Sequence, residues 1–250
     1  MARFTIVGSY ASPYVRKVLA CMTVKGLVDY EIDPITAFFG NEAFERLSPL
    51  RRIPVLIDGD LALSDSSVIC AYLDEAYPER PLLPASPRDR AGARWFEEYA
   101  DTRLGDVFIW GLFYQKIVHP LIWGTPGDQE RIKRTLTADI PRECDYLERQ
   151  LPGNGYLFGG PIGLADISIA TFFRNAAYAG FEPDPARWPR LAAYVARALA
   201  EDCFARFLPF EQAQLSTNPQ GRRAALLAAG APLSAETLGT REAKPGVMRL

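Results

Sequence analysis

The chain lacks the residue patterns of several common functional classes. It has one histidine, His119, and its four cysteines form no C-x-x-C pair. The sequence therefore predicts neither a metal centre nor a thiol–disulfide exchange site. No G-x-x-x-x-G-K-S/T and no G-x-G-x-x-G segment occurs, which argues against a nucleotide cofactor.

Strong charge and long hydrophobic runs are also absent. The formal net charge is −2, so we expect no nucleic-acid partner. The apolar stretch 107–114 is too short to span a bilayer, and the first residues lack the apolar core of a signal peptide. These features predict a soluble cytoplasmic protein without a membrane partner, and the unpaired cysteine spacing fits a reducing compartment.

Prolines mark the clearest domain boundary. Four of them fall within residues 77–87, where they preclude a regular helix or a central strand. Upstream, strands and helices alternate, which predicts an α/β domain with a small mixed sheet. Downstream the pattern is all-helical, with a long periodic segment 89–118 that is expected to break at Pro120. We therefore divide the chain into domain 1–78, linker 79–87, helical domain 88–214 and a C-terminal extension, 215–250.

The extension has scattered proline and glycine and no sustained amphipathic period. Two interpretations are open: a partly helical tail that docks on the protein, or a mobile segment.

A hydroxyl-bearing loop joins the predicted strand 3–8 to the predicted helix 13–26. Proline is well tolerated in the first turn of a helix because its missing N–H is not needed there. Pro13 therefore opens the helix and Ser12 is its N-cap. The positive end of the helix dipole favours a bound anion, so Ser12 is a candidate anion or thiol site, with a plain helix cap as the simpler alternative.

A proline also precedes the next predicted strand, 55–57. An Asp58-Gly59 turn then leads to a second short strand, 61–63. Because proline cannot donate to a ladder, two interpretations are open. Either the Ile53-Pro54 bond is cis, which would turn the Ile53 backbone N–H and C=O outward, or an ordinary trans proline opens the strand.

The segment Ser64-Asp65-Ser66-Ser67 begins the predicted helix 65–77. As structure, it is a good helix N-terminus. As chemistry, it offers one carboxylate for an ammonium group, and a hydroxyl plus backbone N–H groups for a carboxylate.

Together these motifs resemble the glutathione transferase family over about Phe4 to Leu208. The order and spacing are similar to the serine-type classes (theta, zeta, phi and tau) in a bacterial-type member. The resemblance implies a thioredoxin-like domain with a mixed four-stranded sheet, followed by an all-α domain. The motifs that carry it are Ser12-Pro13-Tyr14, Arg52-Ile53-Pro54-Val55-Leu56 and Leu63-Ser64-Asp65-Ser66.

The resemblance also implies roles for individual residues. Ser12 would hydrogen-bond the sulfur of glutathione, the co-substrate. The backbone at Ile53 and Pro54 would pair with its cysteinyl unit, and Asp65 with Ser66 would hold its γ-glutamyl end. Arg52 would lie near the peptide backbone of glutathione. Tyr10 is the competing candidate for Ser12, because other classes use a tyrosine near this position.

In the second domain the resemblance implies aromatic residues that line a pocket for a hydrophobic electrophile. Trp110 and Tyr114 are the candidates, although their i, i+4 spacing is also typical of core packing. Phe207 and Phe210 are weaker candidates. Asp166, by contrast, is interpreted as structural, because it can accept a hydrogen bond from the N–H of Gly163 at a helix start.

The resemblance implies a homodimeric detoxification enzyme that adds the glutathione thiolate to a hydrophobic electrophile. Glutathione-dependent isomerisation or dehalogenation is one alternative, and a non-catalytic binding or assembly protein of the same fold is another. The segment 36–41 lacks the Lys, His or Gln that many members place near the glycine carboxylate of glutathione. This departure predicts weaker glutathione affinity.

Overall fold

The computed structural model describes residues 2–245. They form two compact units, one with the described residues up to Arg80 and from Asp202 onward, and one with Pro81–Glu201. This grouping differs from the sequence-based division, which placed 202–214 in the helical domain. The reason is long-range bonding within this segment: Glu211 forms an ion pair with Arg16, and the Gln214 side chain hydrogen-bonds Ser9 and the Tyr10 N–H.

The first unit is built on a four-stranded sheet with strand order β2-β1-β3-β4. β1 pairs parallel with β2 and antiparallel with β3, and β3 pairs antiparallel with β4. The mixed four-stranded sheet that was predicted is thus confirmed. The strands are β1 (Phe4–Val7), β2 (Tyr30–Asp33), β3 (Val55–Asp58) and β4 (Leu61–Ser64).

Three helices connect or follow these strands, each beginning at a capping side chain. Ser12 caps α1 (Pro13–Lys25), Asn41 caps α2 (Glu42–Leu47), and Asp65 caps α3 (Ser66–Ala76). Gly26 ends α1 in the left-handed conformation, with φ 77°, which glycine adopts without steric cost. A short 3₁₀ turn, Ala37–Phe39, precedes α2.

The second unit is all-helical, as predicted. Helix α4 (Pro87–Tyr99) continues through a π-helical stretch, Ala100–Val118, into α5 (His119–Trp123). Helix α6 (Gln129–Arg134) continues likewise through Thr135–Asp139 into α7 (Ile140–Gln150), and the unit ends with α8 (Leu164–Tyr178) and α9 (Pro189–Ala200).

The predicted break at Pro120 does not occur. His119 donates its backbone N–H to the Tyr114 carbonyl, five residues back, and the helix passes through the proline to Trp123. Proline has no N–H for the ordinary i−4 bond, and the wider hydrogen bonding of a π turn accommodates it. The second π-helical stretch also ends just before a proline, Pro141.

The Asp166 carboxylate stabilises the start of α8 through three hydrogen bonds. Its Oδ2 accepts the Gly163 N–H at 2.9 Å, and its Oδ1 accepts the Leu157 N–H at 3.0 Å and the Tyr194 hydroxyl at 2.5 Å. The side chain is buried, and burial raises the pKa of its carboxyl while these hydrogen bonds oppose the rise. The predicted bond from Gly163 is confirmed.

We expect Asp166→Ala to lower the melting temperature, because the buried Tyr194 hydroxyl and the partly buried N–H groups of Gly163 and Leu157 lose their acceptor. Leaving one buried donor unsatisfied costs about 1–3 kcal/mol, and 1 kcal/mol shifts the melting temperature of a chain this long by roughly 2–4 °C. Thermal unfolding checks the shift. Asp166→Asn, which keeps one acceptor oxygen, is the matched control, and wild-type stability in Asp166→Ala would contradict the structural assignment.

The chain then returns to the first unit through α10 (Asp202–Ala205), α11 (Leu208–Leu215) and α12 (Arg222–Ala228). Beyond α12, Leu233 forms a parallel bridge with Ile32, and Gly239 an antiparallel bridge with Gly40. Of the two interpretations of the extension, the described part fits docking. Across residues 2–245, no helix combines the length and apolar character needed to cross a membrane.

Candidate functional site

The register of the sheet brings the three sequence motifs to one edge. Val7, the last residue of β1, faces Val55 at the start of β3, and Val55 faces Ser64 at the end of β4. The loop after β1, the residue before β3 and the turn after β4 therefore leave the sheet side by side. These are the segments that contain Ser12, Ile53-Pro54 and Asp65-Ser66.

The loop after β1 passes very close to Ile53. Gly8 has a φ of 153°, and a Cβ atom placed on it would lie 2.5 Å from Val15 Cγ2 and 3.2 Å from Ile53 Cβ. Glycine is required here because any side chain would collide with α1. Gly8 therefore lies close both to Val15, in the first turn of α1, and to Ile53, the residue before Pro54.

Ser12 is half-buried, and its Oγ accepts the Val15 N–H at 3.4 Å. The predicted N-cap is confirmed. Because the hydroxyl is at the positive end of the helix dipole, a thiolate beside it would receive an O–H donor and a favourable field.

The Ile53-Pro54 peptide bond is cis, which decides between the two interpretations of this proline. Ile53 is half-buried and Pro54 is buried. The backbone just before them is fixed, because Ser48 Oγ accepts the Arg52 N–H at 3.0 Å and donates to the Arg52 carbonyl at 2.8 Å. The Arg52 side chain is exposed.

Asp65 is an exposed acid in an unusual backbone conformation. Its φ is 82°, in the region that favours glycine, and one carboxylate oxygen accepts the Ser67 N–H at 2.9 Å. Such conformations cost free energy and concentrate at functional sites. Ser66, the next residue, is only 3% exposed and begins α3. The pair thus presents a carboxylate next to a helix N-terminus.

Lys17 is a member of this cluster that the residue pattern alone did not assign. Its side chain is fully buried, and its Nζ donates to Ser67 Oγ at 3.0 Å. The bond ties α1 to the first turn of α3 and places a cationic group near Ser66. The available signal was the Arg16-Lys17 pair just before the apolar run 18–22 of α1, since buried lysines are rare unless they have a partner.

Tyr10, the competitor of Ser12, is 1% exposed. Its ring packs against Phe207 and Phe210, with ring centroids 6.2 and 5.0 Å away. Burial, together with neighbouring Tyr30, raises the pKa of Tyr10. Its hydroxyl therefore stays protonated at neutral pH, enclosed by side chains of its own unit.

Trp110 and Tyr114 lie together in the second unit, with ring centroids 5.4 Å apart. Trp110 is half-buried, and Tyr114 is 8% exposed with its hydroxyl accepting the Trp123 Nε1–H at 3.2 Å. Their role as pocket residues stays a prediction. Phe207 is buried and Phe210 is half-buried, and both pack on Tyr10 in the first unit; their role as pocket residues also stays a prediction.

The cysteines and the histidine lie apart from these motifs. All four cysteines are free and buried, and Cys21 Sγ is 3.6 Å from Cys70 Sγ between α1 and α3. His119 Nδ1 lies 3.1 Å from the Thr125 carbonyl oxygen. Within the described range 2–245, no group of three or more His, Cys, Asp or Glu side chains is placed to hold a metal ion.

Two family models match the chain. The model described as the N-terminal domain of glutathione S-transferase matches residues 6–81, and that of the C-terminal domain matches residues 129–197.

Relatives matched over most of their length carry the same description. The chain is 27% identical to glutathione S-transferase U7 of Arabidopsis thaliana, over 84% of this chain and 88% of that protein. It is 30% identical to a probable glutathione S-transferase, GSTU1, of Oryza sativa subsp. indica, over 80% of this chain and 87% of the relative.

Solved structures agree. A glutathione S-transferase from Rhodospirillum rubrum F11 superposes with a TM-score of 0.77 at 26% identity, covering 89% of this chain and 99% of that one. A theta class glutathione S-transferase from Xanthomonas axonopodis pv. citri, with glutathione bound, gives a TM-score of 0.68 at 30% identity, covering 82% and 97%.

Proposed function

The chain belongs to the glutathione S-transferase family, and from this premise we propose that it activates the glutathione thiolate for attack on a hydrophobic electrophile. The sulfur releases its proton to solvent, and the thiolate forms a bond to a carbon of the electrophile. In a substitution the bond from that carbon to the leaving group breaks and the leaving group departs with the electron pair; in an addition a π bond of the electrophile breaks and the product takes up a proton from solvent. Ser12 is the residue proposed to contact the reacting sulfur.

The observation that carries this proposal is the position of the Ser12 hydroxyl as the N-cap of α1, at the sheet edge where the loop after β1 approaches Ile53, the residue before the cis proline. A free thiol has a pKa near 8.5, and the thiolate is the nucleophile. Lowering that pKa by about two units is worth roughly 2.7 kcal/mol and makes the anion dominant at neutral pH. One O–H donor and a helix dipole are of the right size to supply most of it.

The remaining residues fit the rest of a zwitterionic tripeptide. The backbone of Ile53 is proposed to pair with the cysteinyl unit as an added strand would. Asp65 is proposed to hold the α-ammonium group of the γ-glutamyl end. Its α-carboxylate would be bound at Ser66, where the α3 dipole and the buried Lys17 ammonium favour an anion. Arg52 is proposed to contact the peptide backbone of glutathione.

Trp110 and Tyr114 are proposed to contact the electrophile, and the cytoplasmic location and homodimeric state expected from the sequence are part of the same proposal.

Calorimetric titration with glutathione, followed by a chlorodinitrobenzene assay, tests the function. Binding with turnover supports it. No binding would remove the enzyme interpretation in favour of a binding protein of the same fold.

Asp65→Asn separates the charge of Asp65 from its structural role. Asparagine caps helices as well as aspartate does, so we expect thermal stability close to wild type. The ammonium group of glutathione loses its carboxylate partner. We therefore expect the Kd of glutathione to rise at least tenfold, since hydrogen bonds to charged groups are worth about 1.5–3 kcal/mol. Calorimetry measures the change, with Asp60→Asn in the neighbouring turn as control. An unchanged Kd would contradict the role of Asp65.

A further inference from the structure

The described C-terminal residues 232–245, here called the strap, run along the open edge of the sheet. β2 is an edge strand, and the strap pairs with it: the Ile32 N–H donates to the Pro232 carbonyl at 2.8 Å, and the Ser234 N–H donates to the Ile32 carbonyl at 3.0 Å. The strap thereby satisfies part of an edge that would otherwise be open to pairing with another chain.

Asp33 anchors the strap where β2 ends. This carboxylate is 3% exposed, its Oδ1 accepts the Thr237 hydroxyl at 2.9 Å, and its Oδ2 accepts the Leu238 N–H at 2.6 Å. Hydrogen bonds to a buried carboxylate are among the stronger ones in proteins. The Asp33 carbonyl accepts the Gly8 N–H at 2.9 Å. Asp33 is therefore hydrogen-bonded directly to the loop that leads to Ser12.

The strap next holds the segment that leads into α2. The Asn41 N–H donates to the Leu238 carbonyl at 2.8 Å, and the N–H groups of Thr240 and Lys244 donate to the carbonyls of Phe39 and Phe38, each at 2.7 Å. Helix α2 has only six residues. A helix this short is not stable by itself and depends on tertiary contacts.

Hydrogen bonds also connect α2 to the loop before β3, which contains the proposed glutathione contacts Arg52 and Ile53. Ser48, the C-cap of α2, binds both the N–H and the carbonyl of Arg52 through its hydroxyl. Arg51 donates to the Pro245 carbonyl at 3.1 Å and to the Ala37 carbonyl at 3.5 Å, which joins the strap, the 3₁₀ turn and this loop.

Apolar contacts also connect the strap to Ile53. Leu238 and Ile53 pack against one buried cluster, which contains Val7, Ile35, Phe44 and Val55.

We propose that the strap is a positioning element of the glutathione site: it holds α2 and the Arg52-Ile53 backbone in the binding conformation, so that glutathione affinity depends on its attachment to Asp33. This inference rests on the proposed function. When only a fraction of the molecules is in the binding conformation, the apparent Kd rises in inverse proportion to that fraction. The chemical step at Ser12 is expected to be unaffected in molecules that have bound glutathione.

The test uses two full-length double variants. Thr237→Ala with Leu238→Pro removes both donors to Asp33, whereas Thr237→Ser with Leu238→Ala keeps both donors while still truncating the leucine side chain. For the first variant relative to the second, we expect a glutathione Kd about tenfold higher, a kcat at saturating glutathione within about twofold, and faster amide hydrogen exchange in residues 37–52. Thr237→Ala alone is expected to raise the Kd two- to threefold over Thr237→Ser, and gives the same decision if the first double variant does not fold.

Equal Kd values in the matched variants would overturn the proposal, and so would a loss of kcat with unchanged Kd. Failure of the proposed function is distinguishable, because it appears as no glutathione binding by the wild-type protein. That result overturns the proposed function and this inference together, whereas equal Kd values in proteins that bind glutathione overturn the inference alone.

Discussion

Ser12→Ala is expected to lower turnover with chlorodinitrobenzene about a hundredfold or more, while glutathione still binds. Removing one preorganised donor to an anion costs about 2.7–4 kcal/mol in the enzymes where it has been measured, and Ser12 offers such a donor at the end of α1. The contacts proposed for the rest of glutathione do not involve this hydroxyl. Steady-state kinetics gives the loss, and calorimetry gives the Kd.

Two variants serve as controls for this experiment. Tyr10→Phe removes a hydroxyl buried against Phe207 and Phe210, and we expect turnover within about twofold of wild type. Ser12→Thr keeps a hydroxyl and is expected to retain part of the activity. The loss of the N-cap costs about 1 kcal/mol of stability, so thermal unfolding must show that Ser12→Ala is folded at the assay temperature. Unchanged turnover in Ser12→Ala would show that Ser12 is only a cap.

Glu211→Ala is expected to produce the largest loss of stability, about 3–5 kcal/mol. Glu211 and Arg16 are 0% and 1% exposed and form a two-point ion pair, with Nε–Oε1 at 2.8 Å and Nη2–Oε2 at 3.3 Å. Removing one partner leaves the other charge buried without it, which typically costs this amount. The free energy of unfolding from urea denaturation measures the effect.

The double variant Arg16→Met with Glu211→Leu is the matched control. It removes both charges while keeping similar volume, and replacing a whole buried pair with apolar residues is often close to neutral. We therefore expect it to be more stable than Glu211→Ala. A loss below about 1 kcal/mol in the single variant would contradict the view that this pair holds α11 against α1.

The local features of the fold could be predicted from the sequence. Ser12 before Pro13, the Asp58-Gly59 turn and the acid at Asp65 act within a few residues of themselves, and the structure has an N-cap, a hairpin and a helix start at these places. The isomer of the Ile53-Pro54 bond could be stated only as an alternative, because surrounding structure selects it.

What the sequence did not reveal depends on pairing between distant residues. Ile32 meets Leu233, and Arg16 meets Glu211, about two hundred residues along the chain. Nothing in the composition of either partner identifies the other. Lys17 follows Arg16 in the sequence with no sign of its partner, and its contact became visible only when α3 placed Ser67 Oγ at 3.0 Å from its Nζ.

We propose that the protein binds glutathione as a thiolate stabilised by Ser12. Ultraviolet difference spectroscopy during a glutathione titration at neutral pH detects this thiolate. We expect a thiolate absorption band that saturates as the protein fills and is lost in Ser12→Ala at the same occupancy. Saturated binding without a thiolate band, or a band of equal intensity in Ser12→Ala, would contradict it.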